Sequence, residues 1–502
     1  MSLPPRTASG RPVPPVEGPD GAPLHADERI DAAAQGQRLL AACGLPAGFV
    51  DASRSADPPA VDWARSGAMA LTGDAAGEPR ACAGPLATAM RSAGLALAWL
   101  APDAGFEAFD AAALLGERAA IAGLARAGRT SAGGRARLLP TADGWIALHL
   151  PRVEDWALVP AWLEGPASLA REDWNDLARR VVTRASEPIV ARARLMGLAV
   201  ASAPTAPLAD RPLLRLHHAS AVPPRSATRG LRVLDLSALW AGPLAGSLLA
   251  QAGLDVLKLE SPGRPDGARA GPRAFFDLLN ADKRGCALDL RSRPDRVLFD
   301  ALLDAADVVI ESARSRALEG LGVSAPRWVA RHPGRLWISI TGYGRDHEWI
   351  AFGDDAAIAA GLGFPPDAGP ATRGPGASDP AREGRRAPAE PCFCGDAIAD
   401  PLTGLHAAVL ALGHLRAGRG GLLELSLVDL TAHLAGLDAG PLVLPRGPIA
   451  TAHERAAGIE GWLQHGTARV PIARPRARAP RGVAPPLAPP SEALLADWTR
   501  PC

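Results

Sequence analysis

The chain has 502 residues, and its 54 basic side chains almost balance its 53 acidic ones, which leaves a formal net charge of +1. So small a charge gives no global field that would concentrate nucleic acid or an anionic membrane surface. Hydrophobic residues make up 47% of the chain, which excludes wholesale disorder. At about 150 residues per domain, the length predicts two or three domains.

The sequence predicts a cytoplasmic protein with neither a membrane nor a nucleic-acid partner. No apolar run approaches the ~18 residues that a membrane span needs, and the opening MSLPPRTASG lacks the pattern of a signal peptide. The six cysteines are scattered, and the close pair Cys392 and Cys394 lacks the spacing of a zinc site. We therefore expect buried thiols, no disulfide and no metal.

The first half of the chain is predicted to form a small α+β unit. Residues 1–58 are rich in Pro, Gly, Asp and Ala, so we expect a largely flexible segment with one helix near 27–43. Residues 59–215 have globular patterning. The expected elements are helices at 85–100 and 111–127, a glycine turn at 131–134, a hairpin over 137–150 with Ala142-Asp-Gly144 as its turn, and helices at 171–183 and 188–196.

Residues 230–440 show the clearest pattern, an alternation of apolar strands and helices. This alternation is typical of an α/β fold with a Rossmann-like, doubly wound parallel sheet. The predicted strands lie at 231–236, 255–260, 307–312, 335–344 and 422–427, and the predicted helices at 241–253, 295–306, 326–333, 401–417 and 428–437.

Three further stretches are expected to lack regular structure. Residues 216–229 resemble a linker, and residues 365–391 a disordered low-complexity insertion. Residues 441–502 form a segment rich in Pro and Arg. Because its basic run has no aromatic side chains on which bases could stack, we expect an arm along the protein's own surface rather than an RNA-binding tail.

The first candidate site is the turn AGPLAG at 241–246, between two predicted strands. A strand, a turn of small residues and a helix N-terminus can bind an anion through backbone N–H groups, and Glu260 mimics the acidic residue that holds a ribose in dinucleotide folds. Close helix packing explains the glycines equally well. The chain's only two lysines, Lys258 and Lys283, lie in this region, which suggests that ammonium groups are needed there.

The second candidate site is Asp400 in GDAIADPLTGLHAAVLAL. Asp followed by Pro predicts an N-cap with proline at the first helical position. The same geometry favours an ionised carboxylate, which can attack a carbonyl as a nucleophile. Asp396 is the rival carboxylate. His406 lies off the face of Asp400, so a His/Asp acid–base pair is not expected here.

Several motifs together resemble class III CoA-transferases, the family of formyl-CoA and carnitine-type CoA-transferases and of the related α-methylacyl-CoA racemases. The motifs are LRVLDLSALWAGPLAGSLLAQAGLDVLKLESPG, LNADKRGCALDLRS, DVVIES, SITGYG and ADPLTGLHAAVLAL, in family order over about 230–440. By this resemblance Asp400 is the nucleophile. The residues that would line the coenzyme A site are Leu239, Trp240, Ala241, Leu288, Asp289, Arg291, Ser312, Ala313 and Arg314.

The resemblance implies a specific reaction. The aspartate attacks an acyl-CoA thioester to give a mixed anhydride, the CoA thiolate converts this to an aspartyl-CoA thioester, and CoA then passes to an incoming carboxylic acid. Acyl-CoA and a carboxylic acid are the implied substrates, with no metal and no NAD. The turn at 312–316 reads Ser-Ala-Arg-Ser-Arg instead of the family's Asn-Phe-x-Pro-Gly, although Arg314 and Arg316 could supply charge for a phosphate.

The first half resembles a second, incomplete copy of the same family. The stretch DWARSGAMALTGDAAGEPRACAGPLATAM leads into a helix that has Pro85-Leu-Ala-Thr88 where the aspartate should appear. Residues 128–196 resemble the family's small domain, with Gly133 and Gly134 as its glycine loop, or else as an ordinary tight turn. We infer a truncated tandem or permuted chain whose two halves supply one active site, and a homodimer is expected by analogy.

Three alternative functions remain open. A catalytically inactive CoA-binding paralogue fits the degenerate first half. An acyl-CoA racemase would need a histidine just before Asp355, where this chain has Gly353-Asp354, and is disfavoured. An NAD-dependent oxidoreductase is disfavoured because a GxGxxG fingerprint is absent from the turn at 241–246.

Overall fold

The computed structural model describes residues 32–46, 57–82, 84–165, 172–204, 208, 210–313, 315–363, 390–437, 446–449, 458–465 and 468–499. Most of the segment predicted to be flexible and almost all of the predicted insertion at 365–391 lie outside these residues. Within the described part, no helix is both long and apolar enough to cross a membrane.

A seven-stranded sheet forms the centre of the second half. Its strands are β4 (Arg215–Ala221), β5 (Arg232–Asp235), β6 (Asp255–Glu260), β7 (Arg284–Ala287), β8 (Val308–Glu311), β9 (Leu336–Thr341) and β10 (Arg419–Ser426). They lie in the order β4-β10-β9-β8-β5-β6-β7. Neighbouring strands pair in parallel except β4, which runs antiparallel to β10 at one edge. The predicted α/β fold with a doubly wound parallel sheet is therefore confirmed. The predicted linker at 216–229 is wrong over β4, whose backbone completes the sheet edge.

Helices cover both faces of this sheet, which explains why its strands read as continuous apolar runs. One face is buried by side chains such as Leu244 and Leu402, and the other by Leu302, Trp328 and Trp498. The helices are α8 (Ala241–Gln251), α9 (Arg273–Asn280), α10 (Arg293–Ala305), α11 (Ser315–Glu319), α12 (Ala325–Arg331), α13 (Gly353–Ala359), α14 (Ala399–Arg416) and α15 (Leu427–Ala435).

The described part of the first half contains no counterpart of the seven-stranded sheet. A three-stranded antiparallel sheet, β1 (Ala136–Pro140), β2 (Trp145–His149) and β3 (Ala199–Ser202), confirms the predicted hairpin. The helices of this half are α1 (Ala32–Ala42), α2 (Pro59–Ser66), α3 (Leu86–Leu100), α4 (Glu117–Ala122), α5 (Val153–Trp162), α6 (Trp174–Val181) and α7 (Ser186–Leu195). Helix α3 packs against α14, so the two halves share one hydrophobic core.

The C-terminal segment returns to both halves. Strands β11 (Arg446–Ile449), β12 (Ile459–His465) and β13 (Ala468–Ala473) form a small antiparallel sheet, which the sequence reading missed. Residues 474–490, here called the C-terminal arm, lead to helix α16 (Glu492–Trp498). Arg476 in this arm contacts Asp110, and Ala287 N–H donates to the Ala488 carbonyl (2.7 Å). The arm thus runs over the protein's own surface, as predicted.

A disulfide joins Cys82 and Cys394, which lie 312 residues apart in the chain. The prediction that disulfides are absent is wrong for this pair, because the fold places the residue ahead of α3 beside the loop ahead of α14. Three other cysteines, Cys43, Cys286 and Cys392, are buried free thiols as expected.

Candidate active site

Asp400 lies in the first turn of α14, whose first residue is Ala399. The predicted N-cap role is wrong, since Ile398 occupies the cap position. The Asp400 carboxylate instead accepts hydrogen bonds from the backbone N–H groups of Ala241 and Gly353. These two residues are the first residues of α8 and α13. Three helix N-termini therefore face one carboxylate, and each favours negative charge there.

Gly353 allows this close approach. A Cβ at this position would collide with Asp400 Oδ2 and with the Ala397 carbonyl oxygen. The side chain of residue 353 must therefore be absent for its N–H to reach the carboxylate.

Opposing effects set the protonation of Asp400. Burial raises the pKa of this carboxyl group to about 7, the Arg118 guanidinium and the two backbone N–H groups oppose the rise, and the nearby Asp354 adds to it. Asp400 is half-buried, whereas Asp354, Asp355 and Asp396 are fully buried. Among these four aspartates, Asp400 alone is open to an approaching substrate, and it is substantially ionised near neutral pH.

Arg118, in α4 of the first half, brings a positive charge to this group of acids. Its Nε donates to Asp396 Oδ2 (2.9 Å) and its Nη2 to Asp396 Oδ1 (2.5 Å), and its guanidinium carbon lies 5.1 Å from the ring centre of Trp240. Burial acts to lower the pKa of Arg118, but Asp396, Asp354 and Asp400 outweigh it and raise the pKa. Asp396 is thus committed to a bidentate ion pair and is not an equal rival of Asp400.

The glycine loop lies next to this arginine. A Cβ on Gly133 would lie 3.5 Å from Arg118 Nη2, and Gly134 has a φ of +76°, a left-handed conformation that favours glycine. The structure therefore brings Gly133 to the site, with Gly134 providing the turn beside it.

His149, at the end of β2, is a second contribution from the first half. Its Nδ1 lies 3.3 Å from Asp355 Oδ1, and its ring lies 4.5 Å from that of Phe352. Asp355 Oδ2 is buried and has no hydrogen-bond partner among the described residues. Burial and the nearby Asp396 raise the pKa of the neighbouring Asp354 to about 6. His406, by contrast, binds the Leu402 carbonyl oxygen (2.7 Å), in keeping with its predicted place away from the site.

The residues predicted to contact coenzyme A follow parallel strands at their carboxyl ends. Leu239, Trp240 and Ala241 follow β5, Leu288, Asp289 and Arg291 follow β7, and Ser312 and Ala313 follow β8. The β5 and β8 strands are neighbours from which the connections lead in opposite directions. This is the switch point where α/β sheets form their ligand crevice.

Individual contacts show how the crevice is organised. Ser312 Oγ accepts the Ala238 N–H (3.0 Å), while Leu239 has a φ of +70° and a side chain that is 42% exposed at the crevice. Asp289 and Arg291 form an exposed ion pair (3.2 Å), and Leu288 is buried. Arg314 lies outside the described residues.

Lys258 and Lys283 bind residues of the turn that borders this crevice. Lys283 Nζ donates to Asp235 Oδ2 (2.8 Å) and to the Pro243 carbonyl (2.8 Å). Lys258 Nζ pairs with Asp266 (2.9 Å) and donates to the Ser237 carbonyl (2.9 Å). Both ammonium groups are fully buried, and their hydrogen bonds to the Ser237 and Pro243 carbonyls stabilise the turn at 237–243.

Glu260, at the position of the ribose-binding acid in dinucleotide folds, is bound by other residues of the protein. Its carboxylate pairs with Arg269 (2.6 Å) and accepts the Asp266 N–H (2.8 Å). This arrangement argues against a dinucleotide site of the predicted kind.

Comparisons with known proteins found similar CoA-transferases. Residues 229–458 match the model of CoA-transferase family III, so the resemblance to class III CoA-transferases is confirmed over this part of the chain. The chain is 31% identical over 239 residues to succinate–glutarate CoA-transferase of Agrobacterium fabrum, covering 44% of this chain and 56% of that protein. It is 32% identical over 157 residues to succinyl-CoA–D-citramalate CoA-transferase of Chloroflexus aurantiacus, covering 28% and 39%.

A crystal structure of a CAIB/BAIF family protein from Brucella suis is 24% identical, with a TM-score of 0.37 over 48% of this chain and 66% of that one. The chain spans about half the length, or less, of the two curated relatives described above. The family match and these two relatives support a transferase.

The sequence did not predict Arg118 and His149 as residues of the site. Each lies more than 200 residues from its partner, with separations of 278 and 206 residues, and neither stands in a recognisable motif. The sequence contained only an indirect indication of these two residues. The first half resembles a family member that lacks the nucleophile, which suggests that this half contributes other residues to the site.

Proposed function

We propose that this protein is a CoA-transferase that moves CoA from an acyl-CoA to a carboxylic acid, with Asp400 as its nucleophile. The observation that carries the proposal is the placement of Asp400. It is a half-buried carboxylate that accepts N–H groups from two helix N-termini beside Arg118, at the carboxyl edge of the sheet. These groups also suit the oxyanion that forms when a thioester carbonyl is attacked.

The first stage exchanges a thioester for an anhydride. An Asp400 carboxylate oxygen attacks the thioester carbonyl carbon, and collapse of the tetrahedral intermediate breaks the C–S bond. CoA leaves as the thiolate, and a mixed anhydride joins the acyl group to Asp400. Arg118 and the N–H groups of Ala241 and Gly353 stabilise the negative charge throughout.

The second stage transfers CoA. The thiolate attacks the Asp400 carbonyl carbon, which releases the donor carboxylate and leaves an aspartyl-CoA thioester. An acceptor carboxylate attacks this thioester, the thiolate leaves, and a second anhydride forms. The thiolate then attacks the acceptor's carbonyl carbon, which gives the new acyl-CoA and regenerates the Asp400 carboxylate. Protons balance without an added acid or base, because every nucleophile and leaving group is an anion.

Both halves contribute to this proposed site. Residues 230–440 supply Asp400 and the crevice, and the first half supplies Arg118 and the glycine loop. The arrangement supports the hypothesis that a tandem chain assembles one complete site. The homodimer stays a prediction.

Substituting Asp400 by Asn tests the proposal. Asn keeps the size and one acceptor oxygen but cannot attack a thioester, so turnover should fall by several orders of magnitude while the melting temperature stays near wild type. Hydroxylamine added during turnover should convert the peptide containing Asp400 to its hydroxamate, readable by mass spectrometry. An active D400N variant, or a hydroxamate on Asp396 instead, would contradict the assignment. Binding of CoA without any hydroxamate would identify an inactive paralogue.

Racemisation remains a second candidate because His149 lies beside Asp355, although the sequence lacks the expected histidine before it. An enzyme that abstracts the α-proton of an acyl-CoA would incorporate deuterium from D₂O at that carbon, and His149→Ala would abolish the incorporation. Transfer without incorporation would exclude this candidate.

A further inference from the structure

The C-terminal arm contacts the short helix that carries Arg118. Arg478 of the arm binds Glu117, the first residue of α4, through Nε to Oε1 (2.6 Å) and Nη2 to Oε2 (2.8 Å). The Arg478 backbone N–H also donates to Glu117 Oε1 (3.1 Å). The Glu117 side chain is 1% exposed and that of Arg478 is 25% exposed. Three hydrogen bonds from Arg478 therefore hold the buried Glu117 carboxylate at the first turn of α4.

A second, apolar contact fixes the same turn. Pro475 of the arm lies against Gly116, which directly precedes α4, so that a Cβ on Gly116 would lie 3.1 Å from Pro475 Cβ. On its other side Pro475 approaches Gly67, where a Cβ would lie 2.8 Å from Pro475 Cα. The arm is thus packed between two glycines of the first half, and its path past α4 is set by close contact as well as by charge.

The next residue along α4 is Arg118, whose guanidinium binds the carboxylate of Asp396. Adjacent residues of one short helix are therefore bound by ion pairs to two distant segments, Glu117 by the arm and Arg118 by the loop before Asp400. Because α4 has only six residues, a shift of its first turn moves the Arg118 backbone directly.

We infer that Arg478 is a positioning residue, which acts through Glu117 and α4 to hold the Arg118 guanidinium beside Asp400. This inference rests on the proposed function, because it assigns the arm a role in setting the charge state of the nucleophile. Arg118 favours the ionised form of Asp400. An α4 helix that is no longer held by the arm would leave Asp400 protonated to a higher pH.

The test compares Arg478→Ala with Arg476→Ala in the 502-residue chain. Arg476 lies in the same arm but contacts Asp110 and the Arg65 carbonyl instead of α4, so it is a matched control. The titration of Asp400 is followed by the pH dependence of carbodiimide labelling, read at the Asp400 peptide by mass spectrometry. This readout needs no substrate, so it is informative even if the proposed transferase activity fails.

Arg478→Ala should move the labelling midpoint of Asp400 to higher pH. If the midpoint rises by about one pH unit, the ionised fraction of Asp400 at pH values well below both midpoints falls tenfold. Transfer activity should fall at about pH 6.5 and recover at about pH 8.5, where Asp400 is ionised in both proteins. Arg478→Lys, which keeps the charge but not the bidentate geometry, should move the midpoint less and serves if the alanine variant is unstable. An unchanged midpoint in both Arg478 variants, or an equal change in Arg476→Ala, would overturn the inference.

Discussion

Helices α3 and α14 begin with similar sequences, AGPLAT and ADPLTG, and pack against each other. The structures of their N-termini nevertheless differ. In the first turn of α14, the Asp400 carboxylate accepts hydrogen bonds from the N–H groups of Ala241 in α8 and Gly353 in α13. Before α3, the corresponding position is Gly84, with a φ of +81°, and a Cβ there would overlap the backbone of Ala435 at the end of α15. The N-terminus of α14 thus holds a carboxylate, whereas the space at the N-terminus of α3 is filled by the backbone of Ala435.

The two halves also differ in how a buried aspartate is paired. In the first half, Asp62 binds Thr88 (2.6 Å) and Arg91 (2.9 Å), all within a local cluster. In the second half, Asp396 binds Arg118 of the first half across 278 residues of sequence. Asp62 is thus paired within its own half, whereas the pairing of Asp396 joins the two halves. Under the proposed function, the first half has no nucleophile of its own and supplies Arg118 to the site around Asp400.

Among the variants that compare the two halves, the largest effect is expected from removing Arg118, the arginine that joins them. Arg118→Met should lower kcat/KM for transfer about 10²–10³-fold, the usual loss when one charge-stabilising group is removed from an active site. The matched variant Arg91→Met removes the partner of Asp62 and should affect unfolding much more than the rate. Steady-state kinetics and urea unfolding of both variants check this expectation, and equal losses of rate would show that the two arginines do not differ as the structure suggests.

A smaller effect, on stability, is expected at the closed N-terminus. Gly84→Ala should destabilise the fold by about 3 kcal/mol, since a left-handed conformation and an occupied space both oppose the methyl group. Gly105 is the control, because it has a φ of +75° but no atom within 4 Å of a Cβ, so Gly105→Ala should cost only about 1 kcal/mol. If chemical denaturation gave similar losses of stability for Gly84→Ala and Gly105→Ala, Ala435 would not be what closes the position of Gly84. Gly84→Asp, in turn, should yield no second hydroxamate.

The smallest effect is expected in the pH dependence of stability. Burial raises the pKa values of Asp400 and Asp62 to about 7 and about 6, above the ~3.9 of an unfolded aspartate. Each native carboxyl therefore holds a proton that the unfolded chain releases. The contribution of these two groups to the free energy of unfolding thus falls as pH rises from about 4 to the folded pKa. Between about pH 6 and pH 7, D400N should flatten this decline more than Asp62→Asn. The reverse order, measured by urea unfolding, would contradict the pKa assignment.

Much of the sheet could be predicted because each of its buried strands is a short, continuous apolar run of the sequence. The runs LRVLDL, DVVIES and RLWISIT each bury both faces of a strand, so they stay apolar whatever surrounds them. Strand β4 was missed because RLHHASA is an edge strand with exposed residues, and its polar composition is typical of a linker as well.

The candidate site could be predicted only in part, for a physical reason. Asp400 stands in a motif, but its protonation and its hydrogen bonds depend on Ala241, Gly353 and Arg118, which tertiary packing brings together. The sequence predicted an N-cap from Asp-Pro, yet the helix starts one residue before Asp400 and leaves the carboxylate for the N–H groups of other helices. The pairing of Cys82 with Cys394 likewise depends on the packing of α3 on α14.

The position of the C-terminal arm has a consequence for the order in which the protein is made. A ribosome produces α4, the seven-stranded sheet and Asp400 well before residue 478, so the growing chain can contain every residue of the proposed chemistry while Glu117 still lacks Arg478. Residues translated after the arm also cover one face of the sheet, where Trp498 is buried against α10. A chain that ends after α15 would thus contain Asp400 and Arg118 but not Arg478. By the inference above, it would lack the residue that holds Arg118 beside Asp400.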